Sequence, residues 1–311
     1  MVDFPARAAK AYERIRPHII ETPLTRSDWY SRLSGSEVYF KCENLQHTRA
    51  FKIRGALNKV LSLSPRELSG KTLVTASGGN HGLAIAHAAR LLGLKSLVYL
   101  PGSTPSLKIE AIKVMGGAVE IHGNAWDEAN EEAVKTGRRE GFLHIHAFDD
   151  ERVIEGQGTI ALEILRRIER PDLVMASIGG GGLISGVASY LKAADAGIRV
   201  AGVETAGADS MSRSIRAGAL VTLSAITSKA ESLGAKRVST RTYDAARAYV
   251  DAFHVVSDAE AEAEQAVIRR EEGFLVELAS SCTVAGFLGF EAEAMQGRKV
   301  VIVLCGGNTA E

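Results

Sequence analysis

Short apolar runs alternate with stretches of helical periodicity from about Thr72 onward. Four such runs predict strands, at residues 72–76, 95–100, 118–123 and 142–147. Between them, residues 81–93 and 105–117 repeat apolar positions at helical spacing and end on glycine, which commonly stops a helix. Alternating strands and helices predict a parallel sheet with helices on its faces.

The same pattern restarts after residue 150. It predicts helices at 156–170, 183–194, 261–273 and 280–295, and strands at 171–179, 198–204 and 298–307. The chain therefore belongs to the α/β class and contains two units. Residues 1–62, with a helix, a turn at 22–24 and a strand at 37–43, could join either unit. We expect a large domain of 1–62 plus 151–311 and a small domain of 71–148.

Composition excludes several classes of protein. At 311 residues and 46% hydrophobic content, the chain is long enough for two cores. Lysine plus arginine equals aspartate plus glutamate at 37 each, without a basic block, which argues against nucleic-acid and anionic-membrane partners. The charged amino terminus is not a secretory signal, and no apolar run could span a membrane. Three cysteines without paired spacing indicate a soluble, cytoplasmic protein.

Glycine-rich segments directly follow three of the predicted strands. They are SGGNHG at 77–82, GGGG at 179–182 and CGGNT at 305–309. Ligands of open parallel sheets bind beyond the carboxyl ends of the strands, and glycine lets the backbone approach a ligand closely. These segments are therefore the candidate ligand-binding loops, and the four consecutive glycines are typical of a phosphate site.

A dinucleotide site is one interpretation of the second loop. Gly180, Gly182 and Gly186 lie between a strand and a helix, and Glu204 ends the next strand, where it could bind a ribose hydroxyl. The glycine spacing is one residue longer than the fingerprint requires. A dinucleotide site would also leave Lys52, Asn80 and Cys305 without a common functional role.

Four motifs together carry a family resemblance. They are HTRAFKIRGALN at 47–58, TASGGNHG at 75–82, SIGGGGL at 177–183 and LCGGNT at 304–309. In this order and spacing the chain resembles the fold type II pyridoxal-phosphate enzymes, which are similar to the tryptophan synthase β chain, and within them the serine/threonine dehydratase and serine racemase branch. The resemblance implies pyridoxal 5'-phosphate as the cofactor, parallel sheets flanked by helices, and a homodimer.

The resemblance also assigns roles to individual positions. Lys52 matches the family's Schiff-base lysine, which can also remove the substrate's α-proton. Phe51 would face the cofactor ring, Asn80 would bind the ring hydroxyl, and Cys305 stands where the family usually has a serine opposite the ring nitrogen. The phosphate would bind at Gly179, Gly180, Gly181, Gly182 and Leu183. The substrate carboxylate would bind the loop of Ser77, Gly78, Gly79, Asn80 and His81 at a helix amino terminus.

Two departures from the branch refine the expected activity. Racemases carry a serine where this chain has Gly78, so we expect a dehydratase without efficient racemisation. The branch's divalent-metal site is matched by Glu204 and Ala208, but its third ligand position is Ser210. Hard cations need several oxygen ligands, preferably charged, so we expect no metal. For His144 and His146, which share one face of a strand, we expect a structural role.

The sequence thus predicts a lyase that converts a β-hydroxy-α-amino acid of the serine, threonine or phenylserine type to a 2-oxo acid and ammonia. An amino-acid racemase of the same fold, an NAD-binding oxidoreductase and a non-catalytic protein that binds the cofactor are the alternatives. The chain ends six residues after Cys305. We therefore expect no regulatory domain of the kind found in biosynthetic threonine dehydratases, and no feedback control by isoleucine.

Overall fold

A computed structural model describes residues 3–77 and 79–309 of the chain. Helices and strands alternate along most of this length. The helices are α1 Phe4–Ile15, α2 Asp28–Ser34, α3 Lys52–Leu61, α4 Pro65–Leu68, α5 Asn80–Leu91, α6 Ser106–Val114, α7 Trp126–Glu140, α8 Glu151–Arg167, α9 Gly182–Ala194, α10 Ser210–Ala217, α11 Thr240–Tyr249, α12 Asp258–Val267 and α13 Leu278–Gly286. The strands are β1 Leu24–Arg26, β2 Glu37–Lys41, β3 Thr72–Ala76, β4 Lys95–Leu100, β5 Ala118–Ile121, β6 Leu143–His144, β7 Leu173–Ser177, β8 Arg199–Thr205, β9 Ala252–Val256 and β10 Lys299–Val303.

The strands form two sheets. One has six strands in the order β1-β2-β10-β7-β8-β9, and the other has four in the order β5-β4-β3-β6. All neighbouring strands are parallel except β1, which runs antiparallel to β2. Every residue of the central strand β7 is buried, as expected for a strand covered by helices on both faces. The α/β class with parallel sheets flanked by helices is confirmed.

The structure differs from the sequence predictions at a few elements. Strand β9 was missed because its apolar run is short, interrupted by His254, and only half-buried at the sheet edge. The turn expected at 22–24 leads into the short strand β1. The helices expected at 261–273 and 280–295 each end in a π-helical segment, Ile268–Glu272 and Phe287–Glu291. Among the described residues, no helix is both long and apolar enough to cross a bilayer.

Helix α3 lies between the two sheets. Its Ile53 and Leu57 share one buried cluster with Leu73 of β3, Ile85 of α5 and Val153 of α8. A separate and larger cluster surrounds the six-stranded sheet. Because α3 contributes to the packing of helices from both halves of the chain, its position fixes where its first residue, Lys52, lies relative to both sheets.

A fully buried ion network holds α3 in this position. The Arg54 guanidinium donates to Glu163 of α8 through Nη1 and Nη2, at 2.6 and 2.7 Å. It also donates to Glu43 through Nε and Nη2, at 2.7 and 2.9 Å. The ammonium of Lys41, in β2, donates to Glu163 as well. Burial alone would raise the pKa of Glu43, but Arg54 and Lys41 together hold it below its usual value.

Removing one carboxylate from this network is expected to destabilise the protein. Glu163→Ala leaves the buried charges of Arg54 and Lys41 without one of their anions, which typically costs about 3–5 kcal/mol. The free energy of unfolding measured by urea denaturation should fall by that amount. The control is Glu140→Ala, which removes an exposed carboxylate paired with Arg139 and should change the value by less than about 0.5 kcal/mol. Equal losses in the two variants would contradict the role assigned to the network.

Candidate active site

A cavity lies at the carboxyl ends of β3, β7 and β10, between the two sheets. Of the residues expected to bind the cofactor and substrate, all that the structure describes line this cavity except Gly79. From those predictions the lining includes Phe51, Lys52, Ser77, Asn80, His81, Gly179, Gly180, Gly181, Gly182, Leu183 and Cys305. The remaining lining residues are Trp126, Ala147, Phe148, Ser177, Glu231, Ser232, Leu233, Gly234, Ala235 and Ala279. Sequence-distant segments therefore meet at one site.

The four-glycine loop forms a backbone cradle at the amino end of α9. Gly181 precedes the helix with φ +91°, a conformation that favours glycine. A methyl group at Gly180 would overlap the ring of Phe148, and one at Gly182 would lie 3.0 Å from the Cβ of Phe148. Only backbone fits here, and its N–H groups together with the helix amino terminus suit a phosphate. The residues present therefore fit a phosphorylated cofactor.

Lys52 lines the cavity from the start of α3. Its Nζ donates to the carbonyl oxygen of Ala147 at 3.0 Å and lies 5.1 Å from the centre of the Phe51 ring. Burial lowers the pKa of Lys52 to about 8. A substantial fraction of the side chain is therefore a neutral amine near pH 8, and a neutral amine is a nucleophile and a base.

The substrate-loop candidates lie where β3 passes into α5. Ser77 Oγ accepts hydrogen bonds from the backbone N–H groups of Gly79 and Gly82, both at 2.8 Å. Gly79 has φ +133°, and Gly78 lies outside the described residues. Asn80 begins α5, so the loop presents a helix amino terminus to the cavity. This is a suitable environment for a carboxylate.

His81 is buried beside this loop. Its Nε2 lies 3.2 Å from the carbonyl oxygen of Ile145, which can only accept, so Nε2 carries the hydrogen. Burial, with a smaller contribution from Lys52, holds the pKa of His81 well below its usual range. The ring is therefore neutral at physiological pH, and it anchors α5 to the segment that follows β6.

Cys305 follows β10 and is buried against two hydroxyl groups. The Oγ atoms of Ser177 and Ser280 each lie 3.4 Å from its Sγ. Burial, followed by the nearby Glu277 carboxylate, raises the pKa of Cys305 to about 11. The thiol is therefore neutral at physiological pH. It can take part in weak hydrogen bonds but cannot act as an anionic partner.

Sequence reasoning did not find every wall of the cavity. Trp126 and Phe148 form an aromatic wall, with ring centres 5.3 Å apart. Trp126 begins α7 and Phe148 follows β6, and nothing in the local sequence of either distinguishes it from a core aromatic. Residues 231–235, in the segment that precedes α11, also line the cavity.

Of the positions that match the family's metal site, Glu204 already accepts hydrogen bonds from the protein. Glu204 is buried and accepts from the backbone N–H groups of Met211 and Ser212, at 2.9 and 2.7 Å. Burial raises the pKa of Glu204 to about 7. Ala208 and Ser210 are also buried. Within residues 3–77 and 79–309, no three or more His, Cys, Asp or Glu side chains are grouped as a metal site.

Comparisons with known proteins give a consistent result. Residues 15–306 match the family model described as "Pyridoxal-phosphate dependent enzyme". An L-threonine ammonia-lyase from Geobacter sulfurreducens is 38% identical, over 96% of this chain and 74% of the relative. A β-hydroxyaspartate dehydratase from Paracoccus denitrificans is 34% identical, over 96% of this chain and 94% of the relative. The structure of maize serine racemase has a TM-score of 0.93 and 31% identity, covering 98% of this chain and 94% of that one.

The close contact between the glycine loop and Phe148 leads to a binding prediction. Gly180→Ala should force the loop and the Phe148 ring apart, because the new methyl group overlaps the ring. We expect the dissociation constant for pyridoxal phosphate, titrated into the apoprotein and followed by absorbance, to rise at least about tenfold. Gly289→Ala is the matched control, because a methyl group there meets nothing within 4 Å. An unchanged dissociation constant for Gly180→Ala would contradict the cradle.

The lowered pKa of Lys52 leads to a pH prediction. Below the pKa the side chain is an ammonium without a lone pair, and above it the side chain is a free amine. The rate at which the apoprotein bonds covalently to pyridoxal phosphate should therefore rise with pH up to about 8 and then level off. Stopped-flow absorbance measures this rate. A rate that keeps rising toward pH 10.5, the ordinary lysine pKa, would show that burial does not tune Lys52.

Proposed function

Because the chain belongs to the pyridoxal-phosphate-dependent enzyme family, we propose that it is a lyase that converts a β-hydroxy-α-amino acid to a 2-oxo acid and ammonia. The observation that carries this proposal is the meeting of Lys52, Asn80, the four-glycine loop and Cys305 in one cavity. The names of the relatives, L-threonine ammonia-lyase and β-hydroxyaspartate dehydratase, support the same reaction class. The family match leaves the dinucleotide alternative without support.

The arrangement of the cavity suggests how this chain would hold the cofactor and the substrate. The backbone of Gly179–Gly182 would bind the cofactor phosphate, with Leu183 continuing into α9. Asn80 would donate to the ring hydroxyl, and Phe51 would lie against the ring. The loop beginning at Ser77 would take the substrate carboxylate at the amino terminus of α5.

Lys52 supplies the acid–base chemistry in this proposal. Pyridoxal phosphate, when bound, supplies an aldehyde that bonds to amines and a ring that accepts an electron pair from the substrate's α-carbon. Lys52 would bond to the aldehyde in the resting enzyme. With the substrate bound, the Lys52 Nζ would accept the substrate's α-proton. Its lowered pKa, about 8, keeps a fraction of the amine unprotonated for this step.

Cys305 favours elimination over other outcomes. A neutral thiol at Cys305 would not stabilise a full positive charge on the cofactor ring, as a carboxylate would. Without that stabilisation, prompt loss of the substrate's β-hydroxyl would be favoured over other outcomes. At position 78 the chain has glycine in place of the hydroxyl that a racemase would use as a second acid–base group. Both features support a dehydratase rather than a racemase.

The lining of the cavity restricts the substrate's β-substituent. Among the lining residues within the described part of the chain, Lys52 is the only lysine or arginine, and Glu231 is acidic. A second substrate carboxylate would therefore lack a cationic partner, and burying such a group unpaired is costly. Trp126 and Phe148 offer apolar contact instead. We propose uncharged substrates of the serine, threonine or phenylserine type.

We propose a large domain of 1–62 plus 151–311 and a small domain of 71–148. The six-stranded sheet takes its strands from the first set of residues and the four-stranded sheet from the second, which supports this division. We further propose a homodimer located in the cytoplasm. The three cysteines are free and buried, which suits a reducing compartment.

Replacing the lysine tests the central assignment. Lys52→Ala should lose the amine that bonds to the cofactor, so turnover of threonine to 2-oxobutyrate should fall below detection. Borohydride reduction of the wild-type holoenzyme should fix the cofactor on the peptide that contains Lys52, as shown by mass spectrometry. Lys59→Ala removes an amine from the same helix, where it pairs with Asp150, and should retain turnover.

Two outcomes would contradict the proposed function. Retained turnover in Lys52→Ala would exclude this lysine as the reacting amine. Inversion of either serine enantiomer by the wild-type enzyme, at a rate comparable to pyruvate formation, would favour the racemase instead.

A further inference from the structure

A buried carboxylate outside the predicted site connects several walls of the cavity. Glu277 directly precedes α13, and only 5% of its surface is exposed. Its carboxylate does not cap its own helix. All the hydrogen-bond donors found for it in the described part of the chain are neutral groups, from three separate segments. A buried anion without a cation is costly unless several donors satisfy it, so this arrangement needs an explanation.

The donors belong to the substrate loop, the 231–235 loop and the chain's last segment. Asn80 Nδ2 lies 2.9 and 3.0 Å from the two carboxylate oxygens. The hydroxyl of Ser232 donates to Oε2, and the backbone N–H of Asn308 donates to Oε1 at 3.1 Å. Glu277 thus joins the start of α5, which follows the four-stranded sheet, to two segments of the other half of the chain.

These contacts fix the orientation of the Asn80 amide. A carboxylate only accepts hydrogen bonds, so the nitrogen side of the amide must face Glu277. On the other side, Asn308 Nδ2 donates to Asn80 Oδ1 at 2.9 Å. Asn308 is itself oriented, because its Nδ2 also donates to the carbonyl oxygen of Thr48 at 2.8 Å. A flipped Asn80 amide would place its oxygen against the Glu277 carboxylate, which is also an acceptor. It would place its nitrogen against Asn308 Nδ2, which is also a donor.

The fixed orientation also leaves one donor free. An amide nitrogen carries two hydrogens. Because Asn80 Nδ2 is nearly equidistant from both oxygens of Glu277, one N–H shared between them accounts for both contacts. The second N–H of Asn80 is then available at a residue that lines the cavity.

We propose that Glu277 is a positioning residue that makes Asn80 present an N–H, rather than a carbonyl, to the oxygen on the cofactor ring. Through Ser232 the same carboxylate also holds the 231–235 loop against the cavity. This inference rests on the proposed function, because it assumes that Asn80 contacts the cofactor. Glu277 touches neither cofactor nor substrate in this arrangement and acts through Asn80.

The test compares cofactor binding by Glu277→Gln with that by the wild type. The glutamine has the same shape, but its NH₂ group would face the donors now held by the carboxylate, so the Asn80 amide loses its fixed orientation. We expect the dissociation constant of the apoprotein for pyridoxal phosphate, titrated by absorbance, to rise about tenfold, the effect of losing one hydrogen bond to a charged group. In the reconstituted enzyme kcat should fall, because the cofactor ring is no longer held in one position.

Two further variants make the test specific. Glu272→Gln is the matched control, because that half-buried carboxylate accepts from Ser27 far along the chain and does not line the cavity. It should leave the dissociation constant unchanged. Asn308→Asp places an acceptor against Asn80 Oδ1 and should weaken cofactor binding in the same direction as Glu277→Gln. This second variant keeps the proposal testable if Glu277→Gln fails to fold.

The outcomes separate this inference from the proposed function. A wild-type protein that binds no pyridoxal phosphate would refute the proposed function itself. A wild type that binds the cofactor and turns over threonine, together with unchanged dissociation constants for Glu277→Gln and Asn308→Asp, would overturn the inference alone. Equal weakening by Glu277→Gln and the Glu272→Gln control would show a general effect of losing a carboxylate and would also overturn it.

Discussion

The ion network around Arg54 is the constraint on which the rest of the site depends. Arg54 lies two residues after Lys52 on α3. It forms ion pairs with Glu43, which follows β2, and with Glu163, which belongs to α8. Two fully buried carboxylates around one guanidinium allow little movement, because any separation would leave charges unpaired in a medium of low polarity. The helix that carries Lys52 is therefore fixed to the six-stranded half of the molecule, while its apolar face packs on α5 from the other half.

The remaining parts of the cavity are placed by sheet topology. Strands β7 and β10 are neighbours in the six-stranded sheet, so the glycine loop and Cys305, which follow them, emerge side by side. The loop that follows β3 comes from the other sheet and meets them across the cleft. Glu277 spans this junction through hydrogen bonds to Asn80 and Ser232. The cavity is therefore built from both sheets and depends on their relative position.

Burial shifts the pKa values of three ionisable groups in the cavity so that each favours its neutral form. It lowers the pKa of Lys52 and of His81, and it raises the pKa of Cys305. Each shift favours the neutral form, as expected where water is excluded. A cavity that disfavours charge keeps part of the lysine as a neutral amine and keeps the thiol protonated. Both properties suit elimination of a β-hydroxyl.

The sequence by itself determined the repeating elements and the loops that follow the strands, because apolar periodicity and glycine content are local properties. It also determined the identity of the candidate residues, since Lys52, Asn80 and Cys305 stand in recognisable motifs. The sequence did not predict strand β9, because its pairing with β8 at the sheet edge, rather than its pattern of apolar residues, makes it a strand. Only the tertiary structure decided that Phe148 packs against Gly180 and that Asn80 donates hydrogen bonds to Glu277. Those contacts join residues far apart in the chain, and no local pattern encodes a distance between them.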